Sequence, residues 1–226
     1  MKHQTIAMPT AFRPAAFKPV ALLWVAVVLF TFGCQSAPKA LPTSTSGGNV
    51  DPQLFERKPI DIAILPVYMG RTYEPKLAKA LRRRAKEELL ELRFSPVAFE
   101  SIDDKLGRFA DNRVLDINQI RGNFDEDAIL YVMLDEWDNT ESGVAIADLS
   151  CRLYDSRTGE ELWYHVQSDK AVETPAPYAI DGDLTTSEYI ARNLIDEAMA
   201  TLPSKDTVRA GNAGSHGAEG LSRQGN

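Results

Sequence analysis

Histidine and cysteine are scarce in this chain, three and two among 226 residues, and the scarcity excludes chemistry. A zinc site draws three or four ligands from His, Cys and acidic side chains. Away from the termini the chain offers only His165 and Cys151. Strand alternation puts His165 on a solvated side and Cys151 on an apolar one, so no metal is expected and the thiol reads as a small buried hydrophobe. Cys34 and Cys151 lie in such different settings that no disulfide between them is expected. Glycine-rich phosphate loops and Ser-centred elbows are missing, and Asp181-Gly182-Asp183 lacks the spacing of a calcium loop. Cations are also short: 25 Lys and Arg face 32 acids, a net charge of -7. Three of the cations (Lys2, Arg13, Lys18) fall in the first 33 residues, leaving 22 against 32, or -10, for the rest. Phosphate binding needs clustered cations, so nucleic acid is not expected as a partner.

What the chain does have is strand pattern, concentrated between Asp127 and Gln167. Ala128–Leu134 is an unbroken apolar run, short for a helix and suited to a strand covered on both faces. After polar turn residues Asp138–Gly143, a second strand places Ala145, Ala147, Leu149, Cys151 and Leu153 on one face. Asp148, Ser150 and Arg152 take the other. Asp155–Gly159 turns the chain into a third strand, where Leu162, Tyr164 and Val166 alternate with Trp163, His165 and Gln167. This predicts an antiparallel meander with one face buried.

Upstream, Asp61–Val67 predicts a strand ended by Pro66. Glu74-Pro75 opens a helix whose Leu77, Leu81, Ala85, Leu89 and Leu92 share one face, with Lys79, Arg82, Arg83 and Lys86 opposite. Phe94–Phe99 predicts a second strand, parallel to the first and at an edge because of Pro96. Ser101 is a candidate cap for a short helix, and Leu115–Phe124 predicts another turn or two. Thr185–Glu188 has capping-box spacing before a helix carrying Ile190, Leu194, Ala198 and Leu202. The fold class is therefore α/β: a mixed sheet with a β-α-β start, an antiparallel three-strand meander and a C-terminal packing helix. Ser204–Asn226 carries almost no apolar group and predicts disorder.

The N-terminus carries the sharpest motif. Met1–Lys18 is basic, and Val20–Phe32 is apolar but for Thr31. Pro19–Gly33 would rise about 22 Å as a helix, short of a hydrocarbon core of about 30 Å, which fits the apolar part of an export signal. It closes on Gly33-Cys34, and here the chain resembles a bacterial lipoprotein signal, although Thr31 and Phe32 stand where that family prefers Leu and a small residue. The resemblance implies cleavage before Cys34 and lipid on it: diacylglycerol on sulfur and an N-acyl chain such as palmitate. An uncleaved anchor and an ordinary cleaved signal are the alternatives. Gln35, in place of the retention-signalling Asp, implies the periplasmic leaflet of the outer membrane. Gln35–Asn49 is rich in Ser, Thr, Pro and Gly and predicts a flexible tether. The expected organisation is signal peptide 1–33, tether 34–53, folded domain 54–203 and tail 204–226.

The body also resembles a family. Ile62–Val67, then Asp127–Val132, then Leu153–Trp163 with its Asp155-Ser156-Arg157-Thr158-Gly159-Glu160 turn is similar to periplasmic domains related to the N-terminal domain of TolB. These include curli-secretion lipoproteins, lipoprotein activators of penicillin-binding proteins and neisserial-type surface lipoproteins, whose pattern Trp137 and Trp163 fit. The resemblance spans Ile60–Leu202 and implies a non-enzymatic envelope role through protein contacts, with partners in envelope assembly, secretion or peptidoglycan-synthase regulation. Aromatic side chains anchor interfaces, so Trp137, Trp163, Tyr154 and Tyr178 are the candidate partner-binding residues. An exposed meander edge would also permit association of copies. The reading from another class is an envelope enzyme, such as a peptidoglycan hydrolase, using Asp135, Glu136 and Asp138 as its acids. A single domain of this size offers no two-lobe cleft for a transported solute.

Overall fold

The structure is a computed structural model and describes residues 45–107, 114–139, 143–176 and 184–211. Seven strands form one sheet in the order β1-β7-β6-β5-β2-β4. They are β1 (Thr45–Val50), β2 (Asp61–Ile64), β3 (Tyr68–Met69), β4 (Ser95–Pro96), β5 (Ala128–Asn139), β6 (Val144–Asp155) and β7 (Glu161–Glu173). The helices are α1 (Gln53–Arg57), α2 (Pro75–Glu91), α3 (Phe99–Leu106), α4 (Ile117–Ile120), α5 (Thr186–Met199) and α6 (Lys205–Ala210).

The predicted β-α-β start and the meander are both present. β2 runs parallel to β5 and to β4, while β5-β6-β7 pair antiparallel. β4 is two residues long and sits at the sheet edge, as Pro96 requires. Beyond Pro66 the sequence reads as a loop over Tyr68–Tyr73, but its first two residues form a strand. β3 resumes the line of β2 and pairs with Met133 and Leu134 of β5. Gly70 follows because a Cβ there would lie 2.2 Å from the Asp135 carbonyl oxygen.

The core has two layers. Over one face lie α2 and α5, packing Leu77, Leu81, Leu89, Leu194 and Ile195 on Ile62, Leu130, Leu149 and Leu153. Over the other lie α3 and α4, packing Ile102, Leu106, Ile117 and Ile120 on Ala63, Leu65, Ile129 and Tyr131. Each fully buried Leu or Ile contributes about 1.5–3 kcal/mol. β2 and the first half of β5 are sealed on both sides, which is why their sequences are unbroken apolar runs.

Four expectations are corrected. The tether expected at 34–53 is already structured from Thr45: β1 pairs along its whole length with β7, and α1 starts at Gln53. An edge strand needs backbone pairing more than apolar side chains, so a composition argument misses it. The tail expected at 204–226 likewise begins with a helix. Ser204 caps α6, which buries Val208, and Lys205 N–H donates to the Leu92 carbonyl. Arg82, placed on the solvated face of α2, is buried instead. Its Nε and Nη2 donate to the Ile64 carbonyl at 3.1 and 2.7 Å, and its Nη1 reaches Asp103 at 3.0 Å. This satisfies the Ile64 carbonyl, which lies on the β4 side of β2 beyond the last residue that β4 pairs. The short helix α3 starts after Ala98, not at Ser101.

The capping box is present as predicted. Glu188 N–H donates to Thr185 Oγ1 at 3.3 Å, and Thr185 N–H to Glu188 Oε2 at 2.7 Å.

Candidate functional site

β6 and β7 extend past the cover of α3 and α4. The cluster beneath those helices takes in Tyr154 at its margin and includes no residue of β7. Strand alternation then leaves Ile146, Arg152, Tyr164 and Val166 on this second face, all half-buried. Arg152 is its centre. Its Nη1 donates to Glu161 Oε2 at 2.8 Å, and the guanidinium stands 5.9 Å from the Tyr164 ring centroid. Arg152 Nε is buried without a hydrogen-bond partner. Burial raises the Tyr154 phenol, against the lowering effect of Arg152. At the upper margin Tyr131 Oη accepts from the Leu115 N–H at 3.0 Å, and burial pushes its phenol up to about 12. The arrangement is a polar-aromatic strand surface with one under-satisfied guanidinium. It suits docking of another polar or aromatic surface.

The acids singled out in sequence lie at the far end of β5. A bulge between Leu134 and Glu136 opens the strand there. Burial, then the Asp148 charge, raises the Asp135 carboxyl above the usual carboxylate range. Glu136 is paired with Arg71 at 3.0 Å, and Asp138 is exposed. Among the described residues no group of three or more His, Cys, Asp and Glu could hold a metal ion.

Trp137 and Trp163, read as partner anchors, are buried to 4% and 1% exposure and pack in the core under α2 and α5. Trp137 Nε1 donates to Glu74 Oε1 at 3.1 Å, and Trp163 Nε1 to Thr201 Oγ1 at 3.2 Å. Of the three that are described, Tyr154 alone lies on the half-covered face. Tyr178, Cys34 and the Asp181–Asp183 motif lie outside the described residues.

β7 is also turned over relative to its expected faces. Trp163, His165 and Gln167 point to the α5 layer, while Tyr164 and Val166 face outward. The cause is a register shift where Tyr154 pairs with Glu161 but Leu153 pairs with Trp163, so Leu162 and Trp163 are both buried. His165, expected on a solvated face, is therefore 3% exposed. Thr201 Oγ1 donates to the Ala198 carbonyl and accepts from Trp163, so His165 Nδ1 donates to it at 3.2 Å. His165 Nε2 then accepts from Ser46 Oγ of β1, also at 3.2 Å. Burial lowers the imidazole pKa, partly opposed by Glu197. Gln167 beside it is wholly buried, with neither amide atom hydrogen-bonded. Cys151 lies in the same layer with its thiol pushed up to about 12 by burial, which leaves it inert as a nucleophile.

Tyr164 and Val166 were the residues the sequence hid. Alternation in β6 correctly put Arg152 outward, and pairing across from it to Tyr164 was the signal that could have found them.

No protein-family model matches the chain, and no curated protein matches it in sequence. Among solved structures, it is similar to lipoprotein GNA1162 from Neisseria meningitidis at 18% identity and TM-score 0.40, over 48% of this chain and 81% of that one. The PelC dodecamer from Paraburkholderia phytofirmans matches at 11% identity and TM-score 0.43, over 70% and 96%. The LpoB C-terminal domain from Salmonella enterica matches at 14% and 0.35, over 54% and 94%. At these TM-scores the likeness supports no functional inference.

Proposed function

We propose that this is a non-enzymatic, lipid-anchored envelope protein that works through protein contacts made by the second face of β6 and β7. The observation that carries the reading is the half-covered strand surface centred on Arg152, with Tyr154, Tyr164, Ile146 and Val166 around it. A half-desolvated guanidinium among aromatic rings is the composition of a binding hot spot. Gly33-Cys34 after an apolar run supports a diacylglycerol and N-acyl anchor on Cys34, and Gln35 supports the periplasmic leaflet of the outer membrane. Lipid on one cysteine through several acyl chains holds a soluble domain firmly to a bilayer, at about 0.8 kcal/mol per buried methylene. The partner is an envelope protein, and the role is assembly, secretion or regulation of peptidoglycan synthesis.

The test is cross-linking in intact cells, with the tagged full chain recovered from membranes and its adducts identified by mass spectrometry. A stoichiometric protein adduct should be lost in Arg152→Ala and Tyr164→Ala while the melting temperature moves by a few degrees at most. Cys34→Ala should release the chain from the membrane fraction. If alanine at Asp135, Glu136 and Asp138 instead abolished a peptidoglycan-cleaving activity in a folded, membrane-bound chain, the enzyme reading would replace this one.

A further inference from the structure

The two edges of the sheet are treated differently. β4 is two residues long and contains Pro96, so it offers little to a second chain. β1 has six residues in unbroken register with β7, no charged side chain, no proline and no bulge. Five of its six residues are exposed, and among the described residues nothing pairs with its outer side. Natural edge strands normally carry at least one of those protections.

We infer that β1 pairs antiparallel with β1 of a second copy, joining two sheets across a two-fold axis at Gly48. Asp51 N–H donates to the Leu162 carbonyl at 2.9 Å. Strict alternation back along β1 then turns the backbone of Asn49 and Gly47 toward β7, and that of Val50, Gly48 and Ser46 outward. About a two-fold axis normal to the sheet, Gly48 meets Gly48 of the second copy and Ser46 meets Val50. That register satisfies every outward donor and acceptor of the strand with about six hydrogen bonds. The occupant is a second copy because the strand is uncharged within a chain of net charge -7. Self-pairing sets no like charges opposite one another, and the register is self-complementary.

The two glycines separate what one copy needs from what it does not. A Cβ at Gly48 would lie 2.6 Å from the Tyr164 carbonyl oxygen, so this glycine serves the contact with β7. A Cβ at Gly47 would meet nothing within 4 Å, so the monomer gives no reason for a glycine there. In the paired register Gly47 lies opposite Asn49 of the second copy, beside the axis. The strand is also held ready: Ser46 is tied to His165, and Val50 packs on the core. The inference does not depend on the proposed anchor or on the Arg152 surface.

Two differently tagged full-length copies, one Gly47→Cys and one Asn49→Cys, are co-expressed and oxidised. The facing pair is of the non-hydrogen-bonded kind, with side chains close enough for a disulfide. A cross-linked heterodimer is expected, at least ten-fold above a Gly47→Cys copy paired with a Lys76→Cys copy. Gly47→Lys has room within its own fold but sets two cations near the axis. It should weaken self-association of the full chain at least ten-fold, read by light scattering in detergent, without moving its melting temperature. Absence of the heterodimer from folded variants would overturn the inference. So would self-association unchanged by Gly47→Lys, or a disulfide formed only to a different protein.

Discussion

The sheet has two halves that obey different rules. Around β2 and the start of β5 both faces are sealed by helices, and every residue from Ile62 to Leu65 and from Ala128 to Val132 is buried. Around β6 and β7 one face packs on α5, while the other carries Arg152, Tyr164 and Val166 half in water. The first half has no freedom to vary side-chain polarity, and the second has it at alternate positions. Stability should therefore concentrate in the first half, and interaction chemistry in the second.

The contrast breaks most visibly under truncation. Leu130→Ala should cost about 2–5 kcal/mol, because the site is enclosed from both sides and cannot collapse. Val166→Ala should cost less than about 1 kcal/mol. Urea unfolding of the two variants measures both, and equal losses would dissolve the distinction.

Acid sharpens it next, through the buried layer under β1. Burial sets the folded pKa of His165 below its ordinary value of 6.5. The folded form thus binds fewer protons than the unfolded form. The stability His165 contributes is complete above about pH 6.5 and is lost as the pH falls toward the lower folded value. Glu197, whose carboxylate also pairs with Lys170 at 2.5 Å, opposes part of that shift. His165→Gln should flatten the dependence of melting temperature on pH between about 7 and 5. A slope unchanged by the substitution would assign it to another group.

A modest effect, well below that of Leu130→Ala, is expected at the start of α5. Thr185→Ala removes one half of the capping box and should cost about 1 kcal/mol, with little change in the Arg152 surface. Thermal unfolding and partner cross-linking of the same variant measure the two halves separately.

Most of this division was legible in the residues. The unbroken run Ala128–Leu134 announced a strand sealed on both sides, and the alternation Ala145 to Leu153 announced one sealed on a single side. The spacing of Leu77, Leu81, Ala85 and Leu89 gave the face of α2, and Thr185–Glu188 gave the start of α5. What stayed hidden depended on long-range partners. No local pattern announces the shift at Leu162 that turns Trp163 and His165 inward, because it is set by pairing with β6. Arg82 looked like a surface cation because its acceptor, the Ile64 carbonyl, is 18 positions away. Thr45–Val50 looked like linker because its partner strand lies more than 100 residues downstream.

That last strand sets a length scale. If Cys34 carries the proposed anchor, only residues 35–44 separate it from the first paired residue of the sheet, Thr45. Eleven backbone steps span less than about 40 Å at full extension. Such a leash lets the first paired residue of the sheet stand no more than about one bilayer thickness from the anchoring cysteine. A partner of the folded domain would then have to come close to the membrane to meet it.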